Sequence, residues 1–360
     1  MDIHASRKNR NHEIEFWRFF FAVVVFLFHM NVLPYGALGV DFFFLLTGIL
    51  MMASIQKAIK ETKAPRSTLD FVLHKVKAFY PELLLATVFT ISVALIVCFI
   101  SNTIDTTFLI KAVKTFFNGV APIKMTGIMG SPGDYNGATW YLSSMIIGII
   151  ITYPLLVRFG NHPLLFITGV FTCGYLCTVH GQLGYVYTHL GITYEGNLRA
   201  IGELLLGATC YQAINAFQKL NLTYLGSLLT TIVKYGCILA IIAISMQNHT
   251  KWHGVALLLA LLALILIFSR HGIDTRLFQN KLCLFLGALS LPLYITHRIT
   301  TTSLYDLISI RYSPPLWAST CICFGLSLSA SLLIMLFAAS LRKNSSKIAN
   351  LFIKKSDRTS

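Results

Sequence analysis

The sequence predicts an all-α integral membrane protein, a polytopic bundle of about ten transmembrane helices with both termini cytoplasmic. Three observations predict it. Hydrophobic residues make up 55% of the 360 residues and charged residues only 12%, with a mean hydropathy of +0.69, so the bilayer rather than water is the solvent for most of its surface. The apolar residues fall in ten runs, each long enough to cross about 30 Å of hydrocarbon when tilt is allowed. The 29 Lys and Arg outnumber the 14 Asp and Glu, giving a net charge of +15, and they gather in alternate connections as the positive-inside rule requires. That placement argues topology and no nucleic-acid partner.

An N-terminal arm, 1–13, carries Arg7, Lys8 and Arg10 ahead of the first run. A signal peptide has the same order, but no small-residue cleavage site follows, and Arg18 and His29 interrupt the apolar stretch; it is read as a retained first span, 14–34. The further runs are 37–55, 82–101, 139–157, 163–180, 199–216, 228–246, 254–269, 282–300 and 316–340, of which 199–216 and 254–269 are the weakest. Together they form one membrane domain, 14–340, followed by a basic cytoplasmic tail, 341–360. With the arm inside, the basic connections 55–81 and 270–281 are cytoplasmic, while Asp105, Asp134 and Glu195 fall outside. The longest outside segment, 102–138, contains a Gly/Pro-rich stretch, 127–137, that reads as irregular loop. No soluble domain is expected at either end, and no internal repeat is visible.

Ionisable residues inside spans are costly and mark cavities, partners or pathways. Arg18 and His29 are eleven apart in the first run. At about 100° per residue they share a face to within about 20°, roughly 16 Å apart along the axis. The same spacing suits an Arg snorkelling beside Trp17 and a His bonded to a backbone carbonyl. Asp41 opens the second run, across a short connection from His29, where it either orients the imidazole or complements the helix dipole. Arg199 and Glu203 have the spacing of an intrahelical pair. His297 and Arg298 close the ninth run, Trp140 and Tyr141 serve as interface anchors or as site residues, and Lys234 is expected to snorkel. His249 and His253 have helical metal spacing but no acidic third ligand, and no metal site is expected. The eight cysteines lie almost wholly in apolar runs; Cys173/Cys177 and Cys321/Cys323 lack the further ligands of a metal site, and all eight read as small buried hydrophobes.

These segments, in this order, resemble the bacterial membrane acyltransferase-3 family, the O-acyltransferases of cell-surface glycans. Ile14-Glu15-Phe16-Trp17-Arg18 followed by His29 is similar to the family's opening acidic residue, arginine, ten-residue gap and histidine. The run from Gly39-Val40-Asp41 through Phe42-Phe43-Phe44 to Thr47-Gly48 resembles its next motif, with Thr47 where serine is usual. Lys75 and Pro81 match a basic element ending in proline, although Ala78 replaces its second basic residue and Lys77 is the substitute at hand. Thr139-Trp140-Tyr141-Leu142 resembles the tryptophan-bearing helix start. Gly287, Ser290, Tyr294 and His297 resemble a late run in which Leu291 replaces the usual tyrosine after the serine.

The resemblance implies transfer of an acyl group, most often acetyl from acetyl-CoA, to a sugar hydroxyl, by a multi-pass protein of the bacterial cytoplasmic membrane. On that reading His29 is the general base and Asp41 orients it. Tyr294 or His297 supports the oxyanion; Arg18, Lys75 and Lys77 hold the phosphates of CoA; Trp140, Arg199 and Glu203 bind substrate. Direct transfer and an acyl-His29 intermediate stay open. The partners implied are a glycan or lipid-linked sugar acceptor, acyl-CoA and membrane lipids, with a homo-oligomer or glycan-assembly partners as further options. Many family members add a soluble esterase-like domain; without one the chain acts alone or hands its acyl group on. Two other classes compete: a transporter or flippase of a lipid-linked sugar or small metabolite, which should show paired repeats with broken helices, and a structural assembly subunit, which leaves the placement of His29 and Asp41 to chance.

Overall fold

The computed structural model describes residues 11–128, 133–184, 186–191, 193–247 and 251–356, with side chains through 344, and all of its regular structure is helical. The main helices are α1 (His12–His29), α2 (Gly39–Lys60), α3 (Thr68–Ile100), α4 (Thr106–Val120), α5 (Thr139–Phe159), α6 (Pro163–His180) and α7 (Glu195–Thr209). They continue as α8 (Tyr211–Gln218), α9 (Tyr224–Ser245), α10 (His253–Ser269), α11 (Lys281–Ile299), α12 (Tyr305–Tyr312) and α13 (Leu316–Ser356). A π-turn, Thr300–Leu304, joins α11 to α12.

Polar caps explain where the helices begin. The Asn11 side chain accepts from the N–H groups of Glu13 and Ile14, and Glu13 and Glu15 complement the dipole of the first turn. Ser67 and Asp105 cap α3 and α4 in the same way. The Ser67 cap corrects the expected 55–81 connection: only 61–67 is non-helical, and the basic element forms the first turns of a 33-residue helix that carries Pro81 inside it.

Every one of the ten predicted runs falls on helix, but spanning length and apolarity are met by seven of the described helical segments. Helix α1, which holds most of the first run, carries Glu13, Glu15 and Arg18; α10 has 17 residues; and the expected 199–216 span is broken at Cys210 into α7 and α8, of 15 and 8 residues. Three further boundaries differ from expectation. The outside segment holds the amphipathic helix α4, the ninth run continues through the π-turn into α12, and α13 passes without interruption through the expected tail boundary. Residues 133–138 are irregular as expected; 129–132 lie outside the described residues.

Polarity is inverted relative to a water-soluble fold. Phe99 and Phe171 are 72% and 73% exposed, whereas Arg199 and Lys234 are 1% exposed. Lys234 therefore does not snorkel. Its ammonium donates to Glu13 Oε1 at 2.6 Å and to Asp274 Oδ2 at 2.7 Å, and the Tyr235 hydroxyl donates to Asp274 at 2.7 Å. This buried cluster ties α1, α9 and the turn after α10 together.

Helix α7 lies at the centre, against α2, α5 and α6, while α1 runs along α11 and α13 covers α11 and α3. Small residues permit the α2/α7 approach. A Cβ on Gly207 would stand 2.8 Å from the Leu45 carbonyl carbon, and one on Gly48 would stand 2.9 Å from the Ala208 nitrogen. That closeness brings Asp41 on α2 to Arg199 on α7.

Candidate active site

Two polar clusters and an aromatic wall lie at the end of the bundle where α1 finishes and α2, α7 and α10 begin. The first centres on Arg199. Its Nε donates to Glu203 Oε1 at 2.7 Å, its Nη1 donates to the Leu183 carbonyl at 2.9 Å, and its Nη2 donates to Asp41 Oδ1. The intrahelical pair expected from spacing is present, with Asp41 added to it. The second carboxylate oxygen of Asp41 lies 3.0 Å from His253 Nε2. The Leu183 N–H reaches His253 Nδ1 at 3.1 Å, and Tyr35 hydroxyl lies 2.5 Å from the same nitrogen. A backbone N–H only donates, so Nδ1 accepts and His253 presents Nε2–H to Asp41. Glu203 Oε2 has no partner among the described residues.

Asp41 is thus occupied by Arg199 and His253, and it does not orient His29. This is a correction to the expected pair, and its cause is the close α2/α7 packing, which turns the start of α2 toward α7. His253, to which the spacing with His249 assigns no site role, is the first residue of α10 and fully buried. His249 lies outside the described residues. The described residues contain no group of three or more metal-ligating side chains.

The second cluster joins α1 to α11. The His29 and His297 rings stack, with centroids 5.0 Å apart and planes 27° from parallel. Arg298 Nη1 donates to His29 Nδ1 at 2.8 Å, and His297 Nδ1 bonds to the Tyr294 carbonyl at 2.6 Å. His29 is half-buried and His297 fully buried. Sequence reasoning named His297 but gave Arg298 no role; only its position beside His297 hinted at one.

An aromatic wall connects the clusters. The Arg199 guanidinium sits over the Trp140 ring at 5.7 Å; Trp140 and Tyr141 both pack on Phe44; Tyr141 meets Tyr294 at 5.4 Å, and Tyr294 meets His297 at 5.6 Å. Trp140 and Tyr294 therefore lie in the interior with Arg199, Glu203 and His297, and Trp140 is no mere interface anchor. A loop straps over this region. Lys124 donates to Asp134 at 2.6 Å and to the Asn136 carbonyl at 2.9 Å, while Asn136 donates to the Ile295 carbonyl on α11. Burial pushes the Lys124 ammonium below the usual lysine range, and Asp134 beside it recovers only part of the shift. The Tyr187 hydroxyl donates to the Gly137 carbonyl at 2.9 Å.

At the other end of α1, Arg18 donates to Glu15 at 2.8 Å, and Lys75 lies close enough for the two cations to act on each other. Lys77 is two residues further along α3, about 200° around the helix. It lines a separate open pocket with Arg66, Asp70 and His74. Lys75 therefore feels the charge of Arg18, while Lys77 lines the separate pocket.

Helices of spanning length, an inverted polarity and a polar interior lined from several of them define a multi-pass membrane protein with buried polar clusters. The family model of acyltransferase-3, described as an acyltransferase domain, matches residues 11–336. The chain belongs to this family and is a membrane acyltransferase. No curated protein and no solved structure matches it.

Proposed function

We propose that the protein transfers an acyl group, acetyl in the first instance, from acyl-CoA to a hydroxyl of a cell-surface polysaccharide or its lipid-linked precursor, in the bacterial cytoplasmic membrane. The observation that carries this reading is the stacked His29/His297 pair inside the bundle of an acyltransferase-3 chain. A sugar hydroxyl is a weak nucleophile at neutral pH, so its attack on a thioester needs a base within hydrogen-bond reach and donors for the developing oxyanion; a pair of imidazoles supplies both functions.

Arg18 and Lys75, two neighbouring cations answered nearby by Glu15, suit the phosphates of the donor. The length of α1 separates them from the histidine pair, and the extended pantetheine arm of CoA is of the kind that bridges such a gap. The Trp140 face and the Arg199–Glu203 pair form the acceptor side of the wall, where aromatic surface beside fixed polar groups suits a sugar ring.

Purified protein incubated with radiolabelled acetyl-CoA and extracted surface polysaccharide should transfer label to the polysaccharide. His29→Ala should insert into the membrane normally and lose that transfer. Movement of a lipid-linked sugar across vesicles without label transfer would instead establish the transporter reading. Mass analysis of surface glycans from cells with and without the chain names the acyl group and the acceptor.

A further inference from the structure

His29 and His297 are not equivalent, and hydrogen-bond direction says how they differ. A carbonyl oxygen only accepts, so the 2.6 Å bond to the Tyr294 carbonyl places the His297 proton on Nδ1 and leaves a lone pair on Nε2. That Nε2 is buried and has no hydrogen-bond partner among the described residues. An unpaired buried acceptor is destabilising, and such groups persist where a reaction or a ligand uses them. At His29 the direction is reversed. A guanidinium only donates, so the Arg298 contact at 2.8 Å holds the lone pair on His29 Nδ1 and the proton on Nε2.

Arg298 is itself held. Its side chain lies against Gly137, where a Cβ would stand 3.1 Å from Nε and 3.3 Å from Cγ. The chain after it enters the π-turn, in which the Thr302 hydroxyl donates to the Arg298 carbonyl at 2.6 Å. π-Turns inserted in helices recur at functional sites.

We propose that Arg298 is a positioning residue that divides the work of the two histidines: His297 Nε2 accepts the proton of the acceptor hydroxyl, and His29, fixed as an Nε2–H donor, hydrogen-bonds the thioester carbonyl oxygen. This rests on the acyl-transfer reading above and replaces its expected base. The hydroxyl proton moves to His297 Nε2 as the hydroxyl oxygen bonds to the carbonyl carbon. The carbonyl oxygen gains negative charge facing His29 Nε2–H. The C–S bond then breaks, the sulfur leaves with the bonding pair, and it takes the proton from His297, so both histidines return to their starting forms and CoA leaves as the thiol. The stacked rings keep the accepting nitrogen of one imidazole and the donating nitrogen of the other beside one substrate.

The test uses the full chain in lipid nanodiscs with isotope-labelled histidine, because ring-nitrogen NMR shifts distinguish a protonated nitrogen from one with a lone pair. His29→Gln and His297→Gln assign the signals. His29 should be protonated on Nε2 and His297 on Nδ1. Arg298→Met should release the His29 preference and leave that of His297; Arg298→Lys, which keeps a donor, should restore it, and Gly137→Ala should weaken it by pressing on Arg298 should the Met variant not fold. Transfer from radiolabelled acetyl-CoA to octyl glucoside gives the second readout. His297→Gln should lose roughly 100-fold or more in turnover, as expected for a missing general base. His29→Gln keeps an amide donor near the Nε2 position and should lose only about 10-fold, and Arg298→Met should lower kcat with the acetyl-CoA KM within about threefold. The same tautomer at both histidines, a His29 signal indifferent to Arg298→Met, or His29→Gln more damaging than His297→Gln would overturn the proposal. The expected tautomers in a wild-type protein that transfers no acyl group would uphold the positioning by Arg298 and overturn the acyl-transfer reading.

Discussion

Gly207→Ala perturbs the α2/α7 crossing on which the Asp41–Arg199 link depends. The new methyl would lie 2.8 Å from the Leu45 carbonyl carbon and 2.9 Å from its Cα, and closer still to the carbonyl oxygen, where ordinary contact begins at 3.4 Å. The obstruction is backbone, so no side chain can swing aside, and the helices must part by about 1 Å. Overpacking of this kind costs about 1–3 kcal/mol. Parting also lengthens the buried bond from Arg199 to Asp41, a charge-assisted bond worth roughly 1.5–3 kcal/mol. The total, about 2.5–6 kcal/mol, should lower the melting temperature by roughly 5–12 °C, using about 2 °C per kcal/mol for a chain of this size. The protein supplies its own probe: Cys173, Cys210, Cys237, Cys283 and Cys323 are free and buried, so a fluorogenic maleimide reports unfolding of the detergent-solubilised protein. Gly236→Ala is the control, because a Cβ there meets nothing within 4 Å, and it should melt within about 2 °C of wild type. A Gly207→Ala protein that melts with the control would refute the argument that this contact sets the position of Asp41.

Further expectations follow from the ion clusters. Glu203→Gln keeps an acceptor for Arg199 Nε and removes one of two negative charges around a single buried cation, so stability should stay within about 1 kcal/mol of wild type. Asp41→Asn puts an NH₂ group against a donor, either Arg199 Nη2 or His253 Nε2, and should cost roughly 2–4 kcal/mol in the same melting assay. Asp274→Asn leaves Lys234 with Glu13 alone and should cost about 3 kcal/mol at neutral pH. Burial alone would raise the Asp274 carboxyl, but hydrogen bonds from Lys234 and Tyr235 hold it below its ordinary value of 3.8. Its contribution is therefore present above that pH and lost as pH falls further, and melting curves of wild type and Asp274→Asn should converge in acid. At the donor end, Lys75→Met should raise the acetyl-CoA KM by about tenfold in steady-state assays and Lys77→Met by less than about twofold, because Lys77 lines a separate pocket with Arg66, Asp70 and His74.

Helix was legible across the ten apolar runs because length and apolarity are local quantities; α4 and the first turns of α3 lie outside those runs and were not. The ten runs all fall on helix, yet the break at Cys210 was not visible: α7 is surrounded by other helices, so it has no need to cross hydrocarbon by itself, and burial makes a short helix as apolar as a spanning one. The Arg199–Glu203 pair was legible from four-residue spacing. The Lys234 cluster was not, because its partners Glu13 and Asp274 are 221 and 40 residues away in sequence.

The sequence by itself determined a multi-pass helical protein, its family, and the placement of Arg18, His29, Asp41 and His297 within apolar runs, since residue order carries hydropathy and motifs directly. Tertiary structure alone decided which of these side chains meet. Asp41 goes to Arg199 and His253 because Gly48 and Gly207 let α2 approach α7 closely, and His29 is left to His297 and Arg298 because α1 runs along α11. Pairing across helices depends on crossing distance and rotation, which are set by small residues and packing over the whole bundle, and no local spacing in a single chain encodes them.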